Sequence, residues 1–313
     1  MIPASLPTLL FEDRVRQALL EDLGRGGDLT SSAVIPAQQQ ASAQLICRQG
    51  GRIAGLEAAA TAFRILDPDV SFQKMAADGD EVEAGTVVAT VAGSARAVLT
   101  AERTALNFFG HLCGIATATR DLVREVESGA LPGQQPPAVV CTRKTTPLLR
   151  DLEKYAVRCG GGANHRFGLD DAVMIKDNHI AVAGSLAEAV ARARRGVGHT
   201  VKIELEVDTA EQLEEALALP SPDATGHRPP VDIVLLDNFY RPGADGAPGD
   251  LGPLRRAVVR LREDGRGILA EASGGIGPQS AAAVAATGVD LLSVGWITHS
   301  APRLDVALDI VTP

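Results

Sequence analysis

The sequence predicts an α/β protein whose C-terminal part is a parallel sheet with flanking helices, preceded by a smaller α+β domain. Two patterns carry this expectation. From about residue 138 onward, short apolar runs with strand character alternate with amphipathic helical runs, the signature of parallel strand-helix units. Between about residues 43 and 98, short β-type runs surround a single helical stretch instead. The chain has 313 residues and is 45% hydrophobic, enough for a large domain and a small one, each with its own core.

Residues 8–23 carry the apolar spacing of an amphipathic helix that ends near Gly24, and "GGDLTSSAVIP" then reads as a turn followed by extended chain. The small domain is drawn from the β runs "AQLICRQGG", "VVATVAG" and "RAVLT" around the helix "LEAAATAFRIL". "TAERTALNFFGHLCGIATATRDLVREVE" reads as one or two helices leading out of it, and the Gly/Pro/Gln-rich "SGALPGQQPPA" as a loop. Six strands follow: "AVVCTRK", "VMIKDNH", "TVKIELEV", "DIVLLDN", "ILAEASGG" and "VDLLSVG". The helices between them are "TPLLRDLEKYAVRCG", "SLAEAVARARRG", "TAEQLEEALAL", "PLRRAVVRLRED" and "PQSAAAVAAT", several opening on Ser, Thr or Pro, as first turns favour. Six strands point to a barrel with fewer than the common eight. The expected domains are 1–112, 113–295 for the barrel, and a terminal segment, 296–313, packing back on the first domain.

Composition excludes several classes. A formal charge of −9 lacks the broad basic footprint of a nucleic-acid binder. Cys47, Cys113, Cys141 and Cys159 are widely separated and read as buried free thiols, not as a secreted disulfide framework. The N-terminal run is broken by Glu12, Asp13, Arg14 and Arg16, so neither a signal peptide nor a membrane span is expected, and the protein reads as cytoplasmic.

Each strand begins apolar and finishes on residues able to do chemistry. In order, the ends carry Arg143 and Lys144, Lys176, Glu204 and Glu206, Asp237, Ser273 with Gly274 and Gly275, and Gly295. In parallel α/β folds the carboxyl ends of the strands share the face on which active sites are built. Period two in "VKIELEV" sets Lys202, Glu204 and Glu206 on one face, read either as an interior ion-pair network or, with Asp237, as a divalent-metal site. Mg²⁺ suits such carboxylates, and no His/Cys spacing suits zinc. "SGGIG" and "SVGW" each end a strand before a helical segment, where backbone N–H groups can cradle a phosphate. Arg143, Lys144, His165, Arg166 and Lys176 form the cationic counterpart, suited to carboxylates. His299 follows "SVGW" suggestively; His111 and His179 read as structural, His199 and His227 as exposed.

"ERTALNF", "TRKTTPLLRDLEKYAVRCGGGANHRFGLDDAVMIKDNH", "IELEVDTAEQLEEA", "IVLLDN", "EASGGI" and "GVDLLSVGWITHS" resemble the quinolinate phosphoribosyltransferase family, as does the opening "EDLGRGGDLTS". The resemblance implies an N-terminal α+β sandwich, a barrel of unusual strand number, and a homodimer with shared sites. It also implies transfer of phosphoribose from phosphoribosyl pyrophosphate to quinolinate with decarboxylation, in NAD biosynthesis, with Mg²⁺. Residue by residue, it implies quinolinate contacts for Arg143, Lys144, His165, Arg166 and Lys176, with Arg103 lent by the partner subunit. Lys144, Glu206 and Asp237 are then the catalytic residues, the last two also near ribose and metal. Ser273, Gly274, Gly275, Gly295 and His299 hold the 5-phosphate. Trp296 departs from the family pattern, which has a small residue there.

Three rival readings stay open on the sequence. One is a related transferase acting on nicotinate or another base; another is a barrel lyase or isomerase with a Schiff base on Lys144 or Lys176. The third takes "QKMAADGDEVEAGTVVATV" as part of a lipoyl or biotinyl carrier centred on Lys74.

Overall fold

A computed structural model describes residues 5–222, 228–243 and 249–311, so His227 lies outside the described residues. In chain order the elements are a 3-10 turn (Thr8–Leu10), α1 (Glu12–Leu23), α2 (Leu29–Val34), β1 (Gln40–Cys47), β2 (Gly51–Arg52), α3 (Leu56–Leu66), β3 (Ser71–Lys74), β4 (Glu81–Val82) and β5 (Thr86–Ser94). Next come α4 (Ala95–Ser128), β6 (Ala138–Cys141), α5 (Arg150–Cys159), β7 (Ala163–Asn164), β8 (Val173–Ile175), α6 (Asp177–Ala183) and α7 (Leu186–Gly196). The remainder are β9 (Ile203–Val207), α8 (Ala210–Leu217), β10 (Ile233–Leu236), α9 (Gly252–Asp264), β11 (Leu269–Ala272), α10 (Pro278–Ala285), β12 (Leu291–Ser293), α11 (Trp296–His299) and β13 (Val306–Val311).

The chain forms two compact units, neither continuous in sequence. The first comprises residues 1–120, 144–162 and 297–313; the second comprises 121–143 and 163–296. The first is built on an antiparallel sheet of order β13-β1-β5-β3, with Leu45 of β1 opposite Leu308 of β13 and Ala89 of β5. Alternation decides which face of β1 is dry: Ala43, Leu45 and Cys47 are buried while their neighbours are less so. In α3, Leu56 and the run Ala58 to Phe63 are all buried, a helix sunk in the core and not lying on it. On α1 the buried pair is Val15 and Leu19, one turn apart, and the helix stops at Gly24 with φ 53°.

The second unit holds a wholly parallel sheet of seven strands in the order β7-β6-β12-β11-β10-β9-β8. Consecutive β7 and β8 occupy opposite edges, so the sheet is an open barrel with fewer than eight strands. The seventh strand, absent from the expectation, is β7, two residues just after the glycine run. In β9, Ile203, Leu205 and Val207 are fully buried, and the other face carries Glu204 and Glu206.

Three expectations are corrected. "GGDLTSSAVIP" contains a helix, α2, because the Asp28 carboxylate accepts the Ser31 N–H and caps it. "RAVLT" is the first turn and a half of α4 and not a strand: buried Ala95, Val98, Ala101 and Ala105 recur at helical spacing, which five residues alone do not reveal. "VMIKDNH" leaves the strand at Ile175, because Lys176 opens α6 with its backbone N–H donating to His179 Nδ1.

All four cysteines are buried, and none forms a disulfide. Burial pushes the Cys47 thiol up to about 11 and Cys159 up to about 12, so neither supplies a thiolate near neutrality. Among the described residues no helix is long and apolar enough to cross a membrane.

Candidate active site

Because the sheet of the second unit is parallel, its strands deliver their carboxyl ends to one side. The placement of the expected residues follows strand by strand. Arg143 stands two residues past β6, His165 and Arg166 directly follow β7, and Lys176 directly follows β8. Glu206 is the penultimate residue of β9, Asp237 directly follows β10, Ser273 to Gly275 follow β11, and Gly295 stands two residues past β12. All seven strands therefore end on a candidate. The loop carrying His165 and Arg166 is shaped by Asp171, whose carboxylate accepts the backbone N–H groups of Phe167 at 2.7 Å and Gly168 at 3.1 Å. Sequence reasoning passed over Asp171; two adjacent aspartates after "FGL" were the available signal.

Two arginines, Arg143 and Arg166, follow neighbouring strands, β6 and β7. Arg166 donates to the Ala172 carbonyl at 3.3 Å and lies 3.6 Å from the Met174 sulfur. Burial first, then the Arg143 guanidinium, pushes Arg166 below its ordinary value, while Glu204 and Asp171 act the other way. Such paired positive charge attracts an anion with more than one negative group.

The acidic residues divide their partners. The Lys176 ammonium is hydrogen-bonded to Glu206 Oε2, and His165 Nε2 lies 2.8 Å from Glu204 Oε2. Lys202 joins neither glutamate: it stands before β9 begins and pairs with Asp232 at 3.2 Å, which removes the expected Lys202–glutamate network. Glu271, in the middle of β11, is a further buried acid that the sequence reading missed. A single charged residue among alanines in "LAEAS" was the signal. Glu206 and Asp237 offer oxygen donors only, which suits a hard dication such as Mg²⁺. A Cβ on Gly274 would stand 3.3 Å from Asp237 Oδ1, so this glycine leaves the carboxylate accessible.

At the glycine-rich ends, Gly274 and Gly275 have φ of 97° and 62°, and a side chain on Gly275 would also meet Pro242 at 2.9 Å. Their backbone thus reverses direction directly after β11. The helix that follows, α10, begins at Pro278, whereas α11 has four residues, too few for a helix dipole of consequence. Trp296 is half-buried, and its indole N–H has no hydrogen-bond partner among the described residues.

Three candidates belong to the first unit. Lys144 is exposed, and its carbonyl accepts the Thr298 hydroxyl at 2.8 Å. The segment after it is tied down by fully buried Glu153, whose Oε2 accepts the Thr146 N–H at 3.1 Å while Oε1 lies 2.8 Å from His111 Nε2. His299 is exposed with Nδ1 2.6 Å from the Ser300 hydroxyl, and Arg103 is exposed on α4. In the same unit Lys74 ends an edge strand and pairs with Glu57 at 2.6 Å.

A parallel barrel whose strand ends gather cations, carboxylates and glycine turns defines an enzyme acting on small anionic substrates. Residues 28–113 match the quinolinate phosphoribosyl transferase N-terminal domain and residues 115–309 its C-terminal domain. A probable nicotinate-nucleotide pyrophosphorylase (carboxylating) of Synechocystis is 40% identical, covering 97% of this chain and 94% of its own. The nicotinate-nucleotide pyrophosphorylase (carboxylating) of Mycobacterium leprae is 39% identical over 95% of this chain and 96% of its own. NadC from Streptococcus pyogenes superposes with a TM-score of 0.83 at 35% identity, covering 98% of this chain and all of that one. The chain belongs to the quinolinate phosphoribosyltransferase family. Membership removes the Schiff-base and carrier readings.

Proposed function

We propose that the chain transfers the phosphoribosyl group of phosphoribosyl pyrophosphate to the ring nitrogen of quinolinate. The 2-carboxylate leaves as carbon dioxide, and the products are nicotinate mononucleotide and pyrophosphate, a step of NAD biosynthesis in the cytoplasm. The observation that carries this reading is the pair of guanidiniums, Arg143 and Arg166, at adjacent strand ends, with Arg166 depressed by burial and by its neighbour. Two guanidiniums at adjacent strand ends complement an acceptor with two adjacent carboxylates better than one with a single carboxylate.

In this reading Arg143, Lys144, His165, Arg166 and Lys176 line the acceptor pocket and present the ring nitrogen to C1 of the ribose, and Arg103 of the partner subunit completes it in a homodimer. Alignment of this kind needs no protein nucleophile. As the bond to pyrophosphate breaks, positive charge grows on the sugar, and the carboxylates of Glu206 and Asp237 stabilise it. The same two residues would hold Mg²⁺, which when bound neutralises charge on the departing pyrophosphate. Ser273, Gly274, Gly275, Gly295 and His299 bind the 5-phosphate. Once the ring nitrogen is ribosylated, its positive charge stabilises the electron pair left on C2 when the carboxylate departs as carbon dioxide, and that pair then takes up a proton from water to give nicotinate mononucleotide.

The test is acceptor choice. Purified protein with phosphoribosyl pyrophosphate and Mg²⁺ should form nucleotide from quinolinate and not from nicotinate. Product from nicotinate alone would replace this proposal with the related transferase.

A further inference from the structure

The reaction above leaves Glu271 without a task. Its side chain is 0% exposed, and neither carboxylate oxygen has a hydrogen-bond partner among the described residues. Three groups face it: Glu204 from β9, the His165 imidazole just past β7, and the Ser293 hydroxyl from β12. One ligand atom from each of His165, Glu204 and Glu271 lies within 4.8 Å of the others, and His165 Nε2 is 3.7 Å from Glu271 Oε1. Glu204 is 3% exposed, and its Oε1 likewise has no hydrogen-bond partner among the described residues.

Two buried carboxylates can only accept, so as a pair they repel and have nothing to exchange. Either a cation or a proton resolves this. A dication would sit close to Arg166, whose charge already opposes that of Glu204. A single proton supplies the missing donor without adding positive charge that the surroundings do not need.

We propose that Glu271 is a positioning residue, a neutral acid in the working enzyme that offers its O–H toward Glu204 and so keeps one negative charge, not two, on the buried pair. His165 fits this arrangement: its Nδ1 accepts the Arg166 backbone N–H at 2.7 Å, which puts the ring proton on Nε2, facing Glu204. The imidazole is thereby fixed in tautomer and orientation. Burial, and then Glu204, push the Glu271 carboxyl up to about 8, with His165 and the Ser293 hydroxyl acting the other way. Ionising Glu271 at alkaline pH would place a second like charge under a dianionic acceptor and weaken its binding. That consequence rests on the reading of the site as a quinolinate pocket; the protonation state does not.

The experiment has two arms. In the substrate-free protein, infrared difference spectra should show a protonated-carboxyl C=O band that disappears as pH is raised through about 8 and is missing in Glu271→Gln. In turnover, the wild-type KM for quinolinate should rise about tenfold from pH 7 to pH 9 with kcat little changed, while Glu271→Gln, a neutral mimic, shows a flat KM. Absence of the band, or stoichiometric Zn²⁺ or Mn²⁺ held by wild type and lost in Glu271→Gln, overturns the neutral acid. A variant that keeps the alkaline rise overturns the positioning role. Should quinolinate not bind at all while the band titrates as stated, the functional reading fails and the neutral acid stands.

Discussion

Asp237 stands at the end of β10 with Gly274 leaving its carboxylate open, and Asn238 after it adopts φ 60°, its amide donating to Asp208 at 3.0 Å. The positive φ turns the chain immediately after the carboxylate, and Asn is among the residues that tolerate it. Asp237→Asn keeps the shape and removes the charge, so turnover should fall by on the order of 100-fold and the Mg²⁺ requirement should shift to higher concentration. A metal titration of initial rates reads both; normal turnover with an unmoved titration contradicts the role. Glu271 gives a second prediction, free of substrate. Its folded value of about 8 lies above the ordinary 4.5, so the folded state holds this proton more tightly than the unfolded chain. Its contribution to stability is therefore fully present below about 4.5 and lost as pH rises toward 8. Glu271→Gln should gain stability relative to wild type across that window and level off above it, as urea unfolding at a series of pH values will show. A constant difference would mean that Glu271 is charged throughout.

Among the elements, α5 and the glycine run behind it answer why flexible backbone precedes His165. Gly160 ends α5 against α4: a Cβ there would stand 2.5 Å from the Ala116 carbonyl oxygen and 2.6 Å from Thr119 Cβ. Gly161 follows with φ 91°. The first glycine is a close approach and the second a backbone reversal, and neither is there for mobility. Gly160→Ala should cost about 1–3 kcal/mol in chemical unfolding, since backbone and a packed threonine are poorly able to yield. A neutral substitution would show that the contact relaxes freely. The elements most legible from sequence were those with long periodic patterns: α3, α7, α8 and α9 fall where apolar spacing put them. Those that were missed are short or governed by single contacts. Two-residue β7 has no period to read, α2 depends on the Asp28 cap, and α6 begins where one His179 contact takes over from the strand. Strand ends were legible because the change from apolar to functional residue is abrupt. The partners met there were not, since Lys202 finds Asp232 from a distant loop and Glu271 reaches Glu204 across the one intervening strand, β10.

At the level of the whole molecule, both family domains are present, and the match passes from one to the other within the single helix α4, between residues 113 and 115. Arg103 lies on that helix, exposed, in the first unit, whereas Lys176 directly follows a strand of the second. If active sites are shared between subunits, Arg103→Ala and Lys176→Ala should each be nearly inactive, yet unfolding and reassembling them together should restore activity. Random pairing makes about half the dimers mixed, and each mixed dimer has one intact site, so recovery should approach ~25% of wild type. A mixture that exchanges subunits and stays inactive assigns Arg103 to its own subunit's site. Product stoichiometry tests the proposed reaction. With quinolinate labelled in the 2-carboxylate, phosphoribosyl pyrophosphate and Mg²⁺, labelled carbon dioxide, pyrophosphate and nicotinate mononucleotide should be released in equal amounts. Nucleotide that retains the label, or label released without pyrophosphate, would contradict it.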